Sequence, residues 1–168
     1  MPGHPDEVEG LLREASTARD SHYIRLAEDM NRESWATVAG MVVVRRGTEA
    51  AATIISVGPT LDDMVEATKG IDATVLYAST VRPFDTETLR VEAEGTDIVL
   101  VEPYLVGTSS SEVSAALLDS PHRLLALGVP LSEHRRYGTG AQHKAAHGLE
   151  TAGLRQSIRE FLRIPVTA

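Results

Sequence analysis

Hydrophobic and polar positions in the first quarter of the chain follow a helical period and then lose it. The first predicted helix, residues 6–18, has one apolar face, formed by Val8, Leu11, Leu12 and Ala15. A short extended piece at 22–26 and a polar stretch at 28–37 with a lone Trp35 follow this helix. The polar stretch has no clear period, so we interpret it as a linker.

From residue 41 onward, short apolar runs alternate with amphipathic segments. The apolar runs predict five strands, at 41–45, 52–57, 73–77, 97–101 and 122–127. The segments that follow them predict helices at 61–68, at 85–93, after Ser109 and at 151–162, two of them begun by capping-box spacing at Thr60 and Ser109. Alternation of this kind predicts a largely parallel, twisted sheet covered by helices. Only a short turn at Gly47 joins the first two strands, so we expect the first strand to be antiparallel.

Composition narrows the class of protein. The chain has 168 residues, of which 42% are hydrophobic, enough for one domain and a fragment of a second. It has no cysteine, no long apolar run and no secretory signal, so we expect a cytoplasmic protein outside the membrane. A net charge of −8 opposes binding to nucleic acid.

Two polar turns follow predicted strands. Residues 56–60 end a strand where a helix begins, but their single glycine does not give the Gly-x-Gly-x-x-Gly spacing of a dinucleotide site. We interpret them as a tight turn before a capped helix. Residues 107–111 lack the Gly-x-Ser-x-Gly pattern of a nucleophilic serine, so we interpret their hydroxyls as helix caps.

A polar loop at 132–148 is the remaining candidate. It contains a cationic cluster that would suit an anion or an acidic partner surface, formed by His134, Arg135 and Arg136. Solvated arginines are the alternative. His143 and His147 stand four residues apart, as two zinc ligands do, but Lys144 replaces the glutamate of the protease motif. We therefore predict no metal site and no catalytic residue.

Several short sequence motifs occur in an informative order along the chain. They are His4-Pro-Asp-Glu, His22-Tyr-Ile-Arg25, Ala52-Thr-Ile-Ile-Ser-Val-Gly58-Pro, Thr80-Val-Arg-Pro-Phe-Asp85, Val99-Leu-Val-Glu102, and Gly128-Val-Pro130 followed by Gly138-Thr139 and His147-Gly148-Leu149. Together they resemble the C-terminal third of thiamine-diphosphate enzymes of the transketolase family. The resemblance covers essentially the whole chain.

This resemblance implies two parts. Residues 1–36 resemble a remnant of the pyrimidine-binding domain, with its last helix, strand and linker. Residues 37–168 resemble a complete transketolase C-terminal domain. The implied fold is a three-layer α/β/α arrangement around a mostly parallel five-stranded sheet with one antiparallel strand.

The resemblance also implies a function in an assembly. The full enzyme would transfer a two-carbon ketol unit with thiamine diphosphate and Mg²⁺, held by two other domains on a partner chain. The chain lacks the family's Gly-Asp-Gly motif, so alone we expect it to bind no cofactor and to be inactive. It would serve domain packing and dimer or partner assembly. We expect a homo-oligomer that covers the apolar face of the first helix.

One position departs from the family pattern. Sugar-phosphate members carry an arginine that grips the substrate phosphate where this chain has Glu28. Either Arg25 or Arg32 substitutes as the substrate-binding residue, or the substrate is not the usual sugar phosphate. Two alternatives stay open for the whole chain: a standalone small-molecule-binding or regulatory module that reuses the fold, and a small enzyme using the loop at 132–148.

Overall fold

The computed structural model describes residues 1–35, 40–133, 135 and 137–165. The helices are α1 (Pro5–Thr17), α2 (Leu61–Ala67), α3 (Thr86–Glu92), α4 (Ser110–Ala116), α5 (Gly140–Ala146) and α6 (Thr151–Leu162). The strands are β1 (Met41–Arg45), β2 (Ala52–Val57), β3 (Ala73–Ala78), β4 (Asp97–Leu105) and β5 (Arg123–Val129). Of the described helices, none combines the length and the apolar character that a membrane span requires.

The five strands form one sheet in the order β1-β3-β2-β4-β5. β2, β3, β4 and β5 run parallel, whereas β1 pairs antiparallel with β3. β2 and β3 are buried along their whole length, as expected of parallel strands covered on both faces. The predicted sheet, with its single antiparallel strand, is confirmed.

Helices cover both faces of the sheet. Ile54 and Ile55 are neighbours in β2 and point to opposite faces, because successive strand side chains alternate. Ile54 packs with α2 and α6, where Leu154 and Ile158 are fully buried. Ile55 packs with α3 and α4, where Leu89 is fully buried. The predicted three-layer α/β/α fold is therefore confirmed.

The helix starts differ in part from the capping predictions. Thr60 does not cap α2; its hydroxyl donates to Val57 O (3.0 Å) and contacts Ser56 Oγ (2.7 Å). Ser109 does not cap α4 with its side chain either. Both hydroxyls find closer tertiary or turn partners, and this competition is common for serine and threonine. Asp85 does cap α3, accepting from Thr88 N (2.9 Å).

The loop at 132–148 contains a helix that the sequence interpretation missed. Thr139 and Gln142 form a full capping box at the start of α5, with Thr139 N donating to Gln142 Oε1 (2.9 Å). The helix is short, and its residues show no buried apolar stripe. The pattern of hydrophobic positions therefore gave no sign of it.

The N-terminal part differs most from its prediction. α1 forms as expected, but Leu12 on its apolar face is 55% exposed, and the buried residue of this helix is Glu7. Residues 22–26 pair with no strand of the described sheet. Arg25 and Leu26 of this segment line a cleft of the domain.

Candidate functional site

A cleft opens at the carboxyl ends of β2, β4 and β5. The chain leaves β2 towards β3 on one side and leaves β4 towards β5 on the other, so the gap between β2 and β4 is the switch point where open α/β sheets place ligands. The cleft has a volume of about 570 Å³, within the size range of small-molecule sites. Segment 25–29 and α5 form its outer walls.

Asn31 links the N-terminal segment to this edge of the sheet through hydrogen bonds. It is only 1% exposed. Its backbone N–H donates to Gly3 O (2.7 Å), and its side-chain amide donates to Gly58 O (3.1 Å). A Cβ atom at Gly3 would lie 2.2 Å from the Asn31 amide nitrogen and 2.7 Å from the Tyr77 hydroxyl, so glycine is required there.

Glu7 holds α1 against the same edge through a buried carboxylate. One carboxylate oxygen accepts from the Tyr77 hydroxyl (2.5 Å) and from Gly3 N (2.8 Å), and the other accepts from Trp35 N (2.9 Å). Burial raises the pKa of Tyr77, and the adjacent Glu7 raises it further. Glu7 is thus a docking residue, although the sequence suggested only a favourable charge in the first helical turn.

Lys144 on α5 joins three parts of the chain beside the cleft. Its ammonium group lies 2.7 Å from Asp29 and 2.5 Å from Asp63. Asp63 also accepts from the Thr151 hydroxyl (2.7 Å), at the start of α6. Burial lowers the pKa of Lys144, but the two carboxylates outweigh this effect and raise it above its ordinary value. The two ion pairs of Lys144 therefore connect α5 to segment 25–29 and to α2 beside the cleft.

Arg25 lies at the mouth of the cleft over an aromatic ring. Its guanidinium carbon is 5.8 Å from the centre of the Tyr104 ring, within the range of a cation–π contact. Burial raises the pKa of Tyr104, and the fully buried Glu102 carboxylate beside it raises it further. Glu102 in turn accepts from Ser109 N (3.4 Å). The Tyr104 ring that contacts Arg25 therefore lies beside the buried carboxylate of Glu102.

The structure separates the residues that the sequence proposed for substrate binding. Arg25 and Glu28 both line the cleft. Arg32 does not; it lies on the surface 3.8 Å from Asp62. The sequence alone did not decide between Arg25 and Arg32, because the periodic pattern of neither segment shows which side chain faces a cleft.

The cationic cluster of the 132–148 loop is only partly described. Arg135 is exposed and lies 3.2 Å from Glu133, as a solvated ion pair. It borders a different cavity, shared with Tyr137 and His143. His134 and Arg136 lie outside the described residues. The proposed anion or partner loop remains a prediction.

The other sequence candidates have local roles. His143 and His147 both face the cleft, and among the described residues no three His, Asp or Glu side chains group as metal ligands would. The Ser56 and Thr60 hydroxyls bind each other within their turn. Ser109 accepts from Arg82 (3.2 Å). The sequence analysis did not identify Glu7 and Asn31 as buried docking residues, because nothing in their local sequence indicates burial.

Comparisons with known proteins agree on one protein family. The family described as "Transketolase, C-terminal domain" matches residues 40–154. A relative from Rhodococcoides fascians, "Uncharacterized 33.6 kDa protein in fasciation locus", is 41% identical over 167 residues, which are 96% of this chain and 53% of the relative. One of the subunits of an apulose-4-phosphate transketolase from Phocaeicola vulgatus is 31% identical over 118 residues, which are 66% of this chain and 38% of that protein.

Further matches agree with this result. A 1-deoxy-D-xylulose-5-phosphate synthase of Shewanella sediminis is 30% identical over 126 residues, which are 73% of this chain and 20% of the synthase. A solved structure described as "Split gene transketolase, inactive beta4 tetramer" has the same fold, with a TM-score of 0.70 at 17% identity over 97% of this chain and 57% of that chain. The chain thus spans about half the length of the Rhodococcoides relative and about a fifth of the synthase.

Proposed function

This chain belongs to the transketolase C-terminal domain family, and on that premise we propose that it is the C-terminal part of a thiamine-diphosphate-dependent, transketolase-type enzyme. The full assembly would transfer a two-carbon ketol unit. The observation that carries the proposal is the family match across the strands and helices of residues 40–154.

We assign the missing domains to a partner chain or to a further part of the enzyme. The relative from Rhodococcoides fascians is about twice as long as the region it shares with this chain. The fold of this chain also fills only 57% of the split-gene transketolase chain. In this assignment, residues 1–36 belong to the pyrimidine-binding domain and residues 37–168 form the C-terminal domain; the junction falls within residues 36–39, outside the described residues.

We propose that the cofactor binds to the part of the enzyme that lies outside this chain. Asp29 and Asp63 beside the cleft are bound to Lys144, and among the described residues Glu28 and the other His, Asp and Glu side chains form no group of three that could hold a metal ion. We therefore derive no catalytic step from the residues of this chain. Its part in the reaction is to place Arg25 at the mouth of the cleft as a substrate-binding residue and to support the domain that binds the cofactor.

A surface for the partner is available at the carboxyl edge of the sheet. Large apolar side chains are exposed there and on the N-terminal segment, namely Leu12, Tyr23, Leu26, Met30, Leu105 and Leu131. Leu105 and Leu131 border the same depression, and adjoining exposed apolar residues mark an interaction surface more often than single ones do. We propose that it packs against the chain with the other two domains, or against a second copy in a homo-oligomer. We also propose a cytoplasmic location, because the chain has no cysteine to form disulfides.

A standalone small-molecule-binding module is the second candidate. The cleft of about 570 Å³ at the switch point favours it, since this site is complete within the chain. Binding of a small ligand without any partner, together with no complex formation, would support this function over the first.

Reconstitution tests the proposed function. The purified chain is mixed with a candidate partner carrying the diphosphate- and pyrimidine-binding domains, and ketol transfer is measured for each chain alone and for the mixture. We expect turnover from the mixture alone. Leu131→Glu should weaken the complex at least about tenfold, because it places a charge in an apolar interface.

Leu118→Glu is the matched control. Leu118 is 80% exposed and follows α4, whereas Leu131 is 92% exposed and follows β5 at the carboxyl edge. The control should leave the complex intact. Two results would count against the proposal: turnover by the isolated chain, or a stable complex that turns over none of the ketol donors and acceptors tested.

A further inference from the structure

We propose that β5 pairs antiparallel with β5 of a second copy of this chain, so that the two sheets join into one continuous sheet across a two-fold axis at Ala126. The inference rests on the position of β5 at the edge of the sheet and on its backbone groups and side chains. It uses no thiamine chemistry, so it stands or falls independently of the proposed function.

The outer side of β5 has no partner strand within the chain. β5 lies at one end of the sheet order and pairs with β4 alone among the described strands. Arg123 N donates to the residue before β4 (2.7 Å), and Val129 O accepts from the residue after β4 (2.9 Å). Because backbone groups alternate along a strand, those of Leu124, Ala126 and Gly128 point outward. No described residue forms a hydrogen bond with these outward groups.

The two edges of the sheet are built differently. At the other edge, the register of β1 against β3 shifts between Val43 and Arg45, and Arg45 places a charge within the strand. Both features hinder pairing with a further strand. β5 has no charged residue and no proline after Arg123, and its register against β4 is regular from Arg123 to Leu127. A regular, apolar edge strand readily pairs with another strand, so β5 has the character of an interface and β1 does not.

The side chains of β5 are incompletely covered. β2 and β3 are fully buried along their length, whereas the residues from Leu124 to Leu127 are only half-buried. Leu125 and Leu127 pack on the side of the sheet that α6 covers, and Leu124 packs on the side that α4 covers. Apolar surface is therefore left on both faces at this edge, and its burial would favour association with a strand of similar apolar character.

The sequence of β5 suits pairing with itself. Around Ala126 the strand reads Leu125-Ala126-Leu127, which is the same in both directions. A two-fold axis at Ala126 sets Leu125 opposite the second copy's Leu127, and it brings the outward backbone groups of the two strands together. The two copies of Arg123 then lie at opposite ends of the paired strands, and each keeps its ion pair with Asp97. A second copy of β5 thus satisfies the outward groups without burying an unpaired charge.

Amide hydrogen exchange on the full chain tests this pairing, with sedimentation velocity over a wide range of protein concentration to define monomer and dimer. We expect a concentration-dependent dimer in which the outward amides of Leu124 and Ala126 exchange at least about tenfold more slowly than in the monomer. The amides of Leu125 and Leu127 point towards β4 and should change less. A chain that stays monomeric, or a dimer that protects no outward amide of β5, would overturn the inference.

Ala126→Pro should give a monomer, because it removes an outward N–H that the pairing uses. That N–H makes no bond to β4, and proline is tolerated on an edge strand when its missing donor faces solvent. Ala126→Ser is the matched control, which keeps the N–H and should still dimerise. Circular dichroism shows whether the Ala126→Pro chain has folded. A folded Ala126→Pro chain that dimerises as well as the Ala126→Ser chain would contradict the pairing.

A cross-link decides the question if Ala126→Pro does not fold. The chain has no cysteine, so Ala126→Cys introduces a single thiol. Across the two-fold axis the two Cα atoms at this position would lie about 5.5 Å apart, so a short bismaleimide should link the two copies. Ser120→Cys is the control, since Ser120 is exposed and lies outside β5; it should give no linked dimer. Equal cross-linking of the two variants, or none of either, would refute the proposed axis.

Discussion

At the scale of single residues, the contact between Tyr77 and Glu7 links the stability of the fold to alkaline pH. Burial raises the pKa of the Tyr77 phenol above its ordinary value of 10.0, and the Glu7 carboxylate adds to this effect. Above about pH 10 the unfolded chain loses the Tyr77 proton while the folded chain keeps it. The unfolded state then binds fewer protons, so the free energy of unfolding falls as pH rises. Below this pH the contribution is fully present.

The substitution Tyr77→Phe tests this coupling. At neutral pH it removes two hydrogen bonds, one donated to Glu7 and one accepted from Gly3 N, and should lower the free energy of unfolding by about 1–2 kcal/mol. Between pH 9 and pH 11 the variant should lose stability less steeply than the wild type. Urea unfolding at several pH values measures both effects. Tyr23→Phe is the control, since Tyr23 is 86% exposed; equal slopes for Tyr77→Phe and Tyr23→Phe would refute the coupling.

At the scale of secondary structure, α1 is held by a polar contact in place of its apolar face. Its carboxylate anchor, Glu7, receives donors from the sheet, from Gly3 and from Trp35. Leu12 on the apolar face stays exposed. Glu7 is therefore the buried anchor of this helix, whereas Leu12 on its apolar face is exposed.

Glu7→Ala should release α1 from the domain. The substitution leaves the Tyr77 hydroxyl and Trp35 N without their acceptor, so docking should weaken by about 2 kcal/mol, a roughly thirtyfold increase in amide exchange over α1. Exchange in the core of α6 should stay unchanged. Glu9→Ala on the same helix is the control, because Glu9 is exposed and pairs only with Arg13. Faster exchange throughout the molecule, or none in α1, would contradict a local docking role.

The periodic elements were predictable because their burial repeats along the chain. Leu154 and Ile158 of α6 recur at helical spacing, and the fully buried strands β2 and β3 are largely apolar. Glu7 and α5 were not predictable in this way. The burial of Glu7 depends on Tyr77, seventy residues away, and α5 has no buried stripe. The hydrophobic pattern carries no information about either, although the spacing of Thr139 and Gln142 is a local signal for the start of α5.

At the scale of the whole molecule, topology was more accessible to prediction than the site. Alternating strands and helices with right-handed crossovers leave few arrangements, and the observed sheet is one of them. The cleft brings together segment 25–29, the end of β4 and α5, which are distant in sequence. Arg25 could be proposed from the sequence, but its stacking on Tyr104 and the engagement of Lys144 required the fold.

The central claim is that this chain supplies the C-terminal part of a thiamine-diphosphate enzyme and leaves the cofactor to another chain. Isothermal titration calorimetry with thiamine diphosphate and Mg²⁺ tests it most directly, on the isolated chain, on the partner with the other two domains, and on their mixture. We predict no heat of binding from the isolated chain and the tightest binding from the mixture. Saturable micromolar binding by the isolated chain would contradict the claim, because the cofactor site would then lie within these 168 residues.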